Sequence, residues 1–459
     1  MQRSYRELPA LPFLPVVGSL PWIVRPEGFV ERLQALGEHY REFGAFRVRV
    51  PGQPERLFVI NADMGTELCD ENRWEKVVDG PQLKIRDFAG DGLFTAFAEE
   101  PNWGKAHRLL APGFSNTSMD RYFPAMVEVL DQLVAHWSKQ REPVDVVRDM
   151  TKMTLDTISV CGFDHRFSSF EQNELHPFLV ALQRALQESI DSLVRLPFME
   201  WAYARTRRQY KRDIQTMFRL VDDVIATRKK LPTSQQAERK DFLALMLGAV
   251  DTKTGEKLSD ENIRYQILTF LIAGHETTSG LLAFVLHAMA RDPKLFARIR
   301  EEADRVLGEG EVTLDRVMKM QLVLRTLSEG LRLWPTVPIL DRRPKEDALL
   351  GGFLVPAKMT VAFMVGSTHR DPRVWADPAR FDPDRFLPEA SKNRPAGAYK
   401  PFGVGKRACI GKQFALLEAA LCIGVIARNF DLEDPGPLVV APTVSPKPGG
   451  FKLRVRRRV

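Results

Sequence analysis

Phe402-Gly403-Val404-Gly405-Lys406-Arg407-Ala408-Cys409-Ile410-Gly411 is a glycine-rich turn that runs into the helical pattern Lys412-Gln413-Phe414-Ala415-Leu416-Leu417-Glu418. Its cysteine is therefore expected at a helix N-terminus. Free backbone N–H groups and the positive end of the helix dipole favour a thiolate there, and the glycines let the backbone approach the sulfur closely. The other three cysteines, Cys69, Cys161 and Cys422, are far apart, with no Cys-x-x-Cys pair. That spacing points neither to a zinc site nor to a disulfide-stapled scaffold. An isolated cysteine is most often a buried, inert residue; the pattern around Cys409 argues for chemistry instead.

Working outward, the 459 residues are 44% hydrophobic and 27% charged, enough apolar side chain for a large core and nothing like a disordered composition. No Gly/Ser linker or shift of composition divides the chain, which reads as one unit over residues 1–459. Met1 to Glu7 leads into a proline-rich run from Pro9 to Pro21 without the uninterrupted apolar segment of a signal peptide or anchor. A cytoplasmic protein with no membrane anchor is the expectation. The net charge of +7 is spread along the chain with no nucleic-acid-binding motif, so no nucleic-acid partner is expected.

Strand-like runs cluster near residues 45–60, 350–363 and 451–455, whereas helical periodicity fills about 64–330 and 409–430. The fold class is thus mainly α with small β-sheets. The polar stretch from Leu231 to Lys240 reads as a connecting loop. The longest helix should begin after Ser259, with Asp260 and Glu261 in its first turn, and stop at Asp292-Pro293. It would be roughly 48 Å long at 1.5 Å per residue. Its apolar run is broken at the middle by Ala273-Gly274-His275-Glu276-Thr277-Thr278, which argues against a lipid-spanning segment and asks for a role. Gly274 there would leave room for a ligand.

Phe402, Gly405, Arg407, Cys409 and Gly411 match the heme-binding signature of the cytochrome P-450 family, which this chain resembles. The resemblance implies the family's fold, a long central distal helix over heme, and heme b (iron protoporphyrin IX) as cofactor with Cys409 as the thiolate ligand to iron. An iron-bound thiolate donates electron density that promotes O–O cleavage. Glu329-Gly330-Leu331-Arg332 places a carboxylate and a guanidinium on one helix face; by resemblance they form a structural ion-pair triad with Arg385. Ala273 to Thr278 resembles the family's oxygen-activating segment. Thr277 would hold the water that delivers protons and Glu276 would relay them from solvent; the plain alternative is a threonine bonded back to the preceding turn. Trp103 and His107 fall in a segment similar to that along the heme edge, and with Arg407 and Lys76 they would meet the propionates.

Asp87-Phe88-Ala89-Gly90-Asp91-Gly92-Leu93-Phe94, Thr154-Leu155-Asp156-Thr157-Ile158 and Glu261-Asn262-Ile263-Arg264-Tyr265-Gln266-Ile267 resemble one subgroup, the bacterial fatty-acid hydroxylases whose heme domain is fused to a flavin reductase. That likeness implies that Phe94 steers the site of oxidation and that Ile85, Ala273, Val337 and Val444 line an apolar substrate channel. It also implies a lipophilic substrate and O2, with electrons from NAD(P)H through a flavodoxin, ferredoxin or flavin reductase, either separate or on a removed fused domain. Lys392, Arg394, Lys400, Lys406 and Lys412 near the cysteine could steer an acidic donor. The chain departs from the subgroup at the channel mouth, where Gln53 and Leu57 replace the usual Arg and Tyr; Arg47, Arg49 and Arg56 are candidate substitutes. The competing functions are a hydroxylase of other lipophilic or natural-product substrates, a peroxide-driven hydroxylase, whose relatives lack the acid–alcohol pair, and a heme sensor without turnover.

Overall fold

The central strands carry unbroken apolar runs, Leu57-Phe58-Val59 and Val361-Ala362-Phe363-Met364, whose successive side chains face opposite sides of the sheet. Both sides of the main sheet are covered. In the computed structural model, which describes residues 3–15, 17–23, 29–50, 52–172, 174–195, 201–433, 435–441 and 443–458, the backbone groups into two compact units. A strand-rich unit comprises Met1–Asp79, Ser328–Cys409 and Val440–Pro446. A helical unit comprises Gly80–Leu327, Ile410–Val439 and Lys447–Val459.

The strand-rich unit is built on a five-stranded sheet of β1 (Ala45–Val48), β2 (Arg56–Val59), β3 (Trp74–Lys76), β4 (Ile339–Pro344) and β5 (Val361–Met364), in the order β1-β2-β5-β4-β3. Only β2 and β5 run parallel, pairing Leu57 with Val361; the other neighbours are antiparallel. Leu57, Val59, Val361 and Phe363 face one apolar cluster with Trp74. Phe58, Ala362 and Met364 face the other, with Leu33, Leu36 and Phe46. Phe46 and Phe58 are cross-strand partners with stacked rings 5.4 Å apart, and each fully buried aromatic contributes about 1.5–3 kcal/mol.

In the helical unit, α1 (Pro81–Ala89) and α2 (Pro101–Leu110) both start on proline, whose fixed φ and missing N–H suit a first helical position. Further along the chain, with other helices between them, lie α3 (Val146–Phe163), α4 (Asp260–Arg291) and α5 (Lys412–Asn429). The bounds of α4 are those read from sequence. Ser259 accepts from the Asn262 N–H at its start, and Asp292 ends it while capping the next helix, Pro293–Leu307, through Lys294 and Leu295. Among the described residues α4 is the one helix long and apolar enough to cross a membrane, and most of that run is buried in protein.

Helix α3 packs along α4 with nearly all its residues buried. Its threonines Thr151, Thr154 and Thr157 each donate to the carbonyl four residues back, so their hydroxyls enter the core satisfied. A side chain at Gly274 would come within 2.8 Å of Ile158 on α3. The glycine expected to make room for a ligand therefore also permits this close helix crossing. The Leu231–Lys240 connection differs from expectation too, since Thr233–Glu238 forms a short helix.

Candidate active site

The residues singled out in sequence fall into two groups. Cys409, Phe402, Gly405, Arg407, Lys76, Val337 and Val444 belong to the strand-rich unit; Thr277, Glu276, Trp103, His107, Phe94, Ile85, Ala273 and Gly411 belong to the helical unit.

In the strand-rich unit the cysteine turn closes on itself: the Cys409 N–H donates to the Phe402 carbonyl at 2.8 Å, and the Ala408 N–H to that of Gly405 at 3.0 Å. Gly403 and Gly405 have φ of +71° and +65°, the left-handed region where a Cβ is costly. Gly405 is constrained twice, because an added Cβ would lie 2.0 Å from the Glu71 carboxyl carbon. That carboxylate accepts the Lys406 N–H at 2.8 Å. Glu71 thus pins the turn that presents Cys409, whose side chain is exposed. Gly411 caps α5 immediately beyond.

Cations collect on the same unit. Lys76 on β3 lies opposite Arg342 on β4, and burial, then Arg407 and Arg342, push its ammonium down to about 7. Like charges opposed across a sheet are destabilising, so the cluster suits an anion. Burial likewise lowers Arg342. This arginine was not singled out in sequence, where only its register against Lys76 could have exposed it. The cluster and the exposed thiol bearer fit the carboxylates and iron of heme b.

Glu329 and Arg332 form a fully buried bidentate pair at 2.6 and 2.8 Å. Arg332 also donates to the carbonyls of His369 and Pro378, and the Arg385 Nε lies 3.4 Å from Glu329. The expected triad is present. Val337 and Val444 are half-buried, and the Ser445 hydroxyl donates to the Thr336 carbonyl at 3.0 Å, tying their two segments together. Of the arginines proposed for a substrate carboxylate, Arg47 and Arg49 pair with Glu55 and Arg56 with Asp79, while Leu57 is buried in the core. Arg394, one of the basic residues near the cysteine, stacks on Trp375 at 4.0 Å and donates to the Arg385 carbonyl; Lys392 and Lys406 are exposed.

In the helical unit, burial along α4 is interrupted at Ala273, Gly274 and Thr277, which lie on one face at helical spacing. The Thr277 hydroxyl donates to the Ala273 carbonyl at 2.7 Å, leaving its lone pairs as acceptors. Glu276 is buried and bonds Lys447 from the strand Lys447–Pro448 at 2.8 Å, with the His275 Nε2 3.3 Å from its other oxygen. The His275 Nδ1 pairs with the Leu271 carbonyl. Burial alone would raise the Glu276 carboxyl, but Lys447 and His275 outweigh it and hold the group below the usual carboxylate range. Lys447 carried no signal in sequence.

Trp103 and His107 sit one turn apart on α2 with ring centroids at 5.1 Å. The helix is held by a bidentate Arg108–Asp251 pair at 2.7 Å and by Lys105–Glu256 at 2.5 Å. Ile85 on α1 is buried and Phe94 half-buried. The segment before Phe94 is fastened to α4 by the Gln266 side chain, which accepts the Leu93 N–H at 3.0 Å.

The family model described as Cytochrome P450 matches residues 8–453. A bifunctional cytochrome P450/NADPH–P450 reductase of Bacillus cereus is 42% identical over 100% of this chain and 43% of its own length. A second, from Bacillus subtilis, is 42% identical over 96% of this chain and 41% of its own length. One from Fusarium oxysporum is 37% identical over 98% and 42%. The chain thus spans less than half the length of the curated relatives it matches. With a family match over nearly its whole length, and a cysteine turn and cation cluster that suit heme b, the chain belongs to the cytochrome P450 family.

Proposed function

We propose that residues 1–459 act as one heme-thiolate monooxygenase domain that hydroxylates medium- or long-chain fatty acids, in the cytoplasm, with electrons from NAD(P)H through a flavin reductase or a flavodoxin- or ferredoxin-type donor. The observation that carries this reading is the turn that presents Cys409, pinned by Glu71 and sharing its unit with Lys76, Arg342 and Arg407. When bound, heme b supplies the oxygen-activating chemistry, tuned by the electron-donating thiolate.

The chain's residues then have distinct tasks. Cys409 ligates iron, and Phe402, Gly405, Arg407 and Gly411 shape its turn. Lys76, Arg342, Arg407, Trp103 and His107 bind the propionates as cations or N–H donors. Thr277 would hold, by its lone pairs, the water that hands over a proton, and Glu276, ionised beside Lys447, would act as the acceptor through which a proton from solvent is passed on. Ile85, Phe94, Ala273, Val337 and Val444 exclude water and hold an alkyl chain. The reductase fusions named among the relatives support a flavin donor; the exposed Lys392 and Lys406 support an acidic one.

The test is the reduced carbon monoxide spectrum of the purified protein, before and after Cys409→His. A thiolate-type red-shifted Soret band that disappears in the variant supports the reading; a band that is absent, or that survives the substitution, overturns it. Product formation with a reductase, compared with peroxide alone, separates the monooxygenase from the peroxide-driven reading.

A further inference from the structure

Asn262, Gln266 and Thr269 form a buried polar stripe along α4, at the i, i+4, i+7 spacing of one helix face. The segment that ends at Phe94 lies against this stripe. The Asn262 side chain donates to one oxygen of Asp91 at 2.7 Å, and Asn102 donates to the other at 2.7 Å. The Gln266 Nε2 donates to the Asn262 Oδ1 at 3.1 Å, while its Oε1 accepts the Leu93 N–H at 3.0 Å. A side chain at Gly92 would fall 2.2 Å from the Thr269 hydroxyl, so glycine is what lets the segment reach the stripe. On the far side, the Thr95 hydroxyl donates to the Gly90 carbonyl and Arg86 to the Thr95 carbonyl.

We propose that Gln266 is a positioning residue that sets where Phe94 stands, and through it which carbon of the substrate is oxidised; this rests on the reading of Phe94 given above. Only two soft torsions, the φ and ψ of Leu93, separate the Leu93 N–H from the next peptide plane and the Phe94 Cα, and the bonds at Thr95 hold the chain on the other side of Phe94. Buried amides of this kind are costly to leave unpaired, so the network holds one geometry. Shifts of about 1 Å at a reacting centre are enough to redirect chemistry, and adjacent methylenes of an alkyl chain differ by about that much.

Two measurements decide it, with Gln266→Met matching the side chain's length without its amide and Gln266→Glu keeping the acceptor oxygen. In substrate-free protein, the Leu93 amide should exchange with solvent about tenfold faster in Gln266→Met, the loss of one buried hydrogen bond, and return toward wild type in Gln266→Glu. The product ratio from palmitic acid should shift in Gln266→Met, and that shift should vanish when Phe94→Ala is already present. Unchanged Leu93 exchange overturns the inference, as does a lowered melting temperature with unaltered product ratios, or an equal shift in the Phe94→Ala background. If Phe94→Ala alone leaves the ratios unchanged, the role of Phe94 falls and this inference with it. Should a variant form no product, Leu93 exchange alone decides.

Discussion

Replacing Lys447 with methionine should make this protein's stability depend on pH in a way that reports on Glu276. The pair is buried on both sides, with 7% and 11% of the side chains exposed and 2.8 Å between Nζ and Oε2. Among the described residues, Lys447 and His275 are the charged or titratable groups bearing on the Glu276 carboxyl; from α3 the neighbours at this point are Thr154 and Ile158. In the wild type the folded carboxyl lies below its unfolded value of about 4.3. The pair's stabilisation is therefore fully present above that value and is lost only as pH falls through the lower folded one. Methionine removes the ammonium and leaves burial to raise the carboxyl. Breaking a buried pair costs about 3–5 kcal/mol, a large share of the roughly 5–15 kcal/mol that holds a domain folded. The penalty should be full at pH 8, where Glu276 is an uncompensated anion, and should shrink as pH falls and the carboxyl takes up a proton. Glu276→Gln added to Lys447→Met should recover much of the loss. Urea unfolding of the single and double variants at pH 8 and pH 5 measures all of this. An equal loss at both pH values, or no recovery in the double variant, refutes the reasoning.

Three further outcomes follow from the strand-rich unit. Because Lys76 is held at about 7, the heme-free wild type is penalised below that pH and relieved as pH climbs toward the ordinary lysine value of about 10.4. Heme-free Lys76→Met should thus be the more stable protein near pH 6, with an advantage that fades toward pH 10 in thermal melts. Arg332→Met should cost about 3–5 kcal/mol in urea unfolding, since it strands the buried Glu329 carboxylate; a cost under about 1 kcal/mol would fit only an exposed pair. Gly405→Ala should lower the heme-to-protein ratio on purification, because it forces a methyl onto Glu71 at a left-handed φ; full heme content would contradict the role given to that turn.

Some expectations from sequence concerned features that neighbours along the chain encode. The ends of α4 were legible in Ser259 and Asp292-Pro293, a cap and a breaker that act within one turn. The Glu329–Arg332 pair was legible because three residues bring two side chains to one helix face. The connection from Leu231 to Lys240 was not, since its polar composition hides the short helix Thr233–Glu238. Basic residues were also misleading as a group: Arg394 reads as one more surface charge, yet it stacks on Trp375.

The sequence by itself determined the family, the cysteine turn and the mainly helical character, because each is written in contiguous residues whose backbone preferences and spacing are local. Only the tertiary structure decided that Lys447 neutralises Glu276, that Arg342 joins Lys76, that Glu71 fastens the turn before Cys409, and that Gln266 holds the segment before Phe94. Each of these joins stretches distant along the chain. A buried charge or amide is stabilised by whichever partner the packing brings within about 3 Å, and that proximity is a property of the folded backbone, with no trace in the residues on either side.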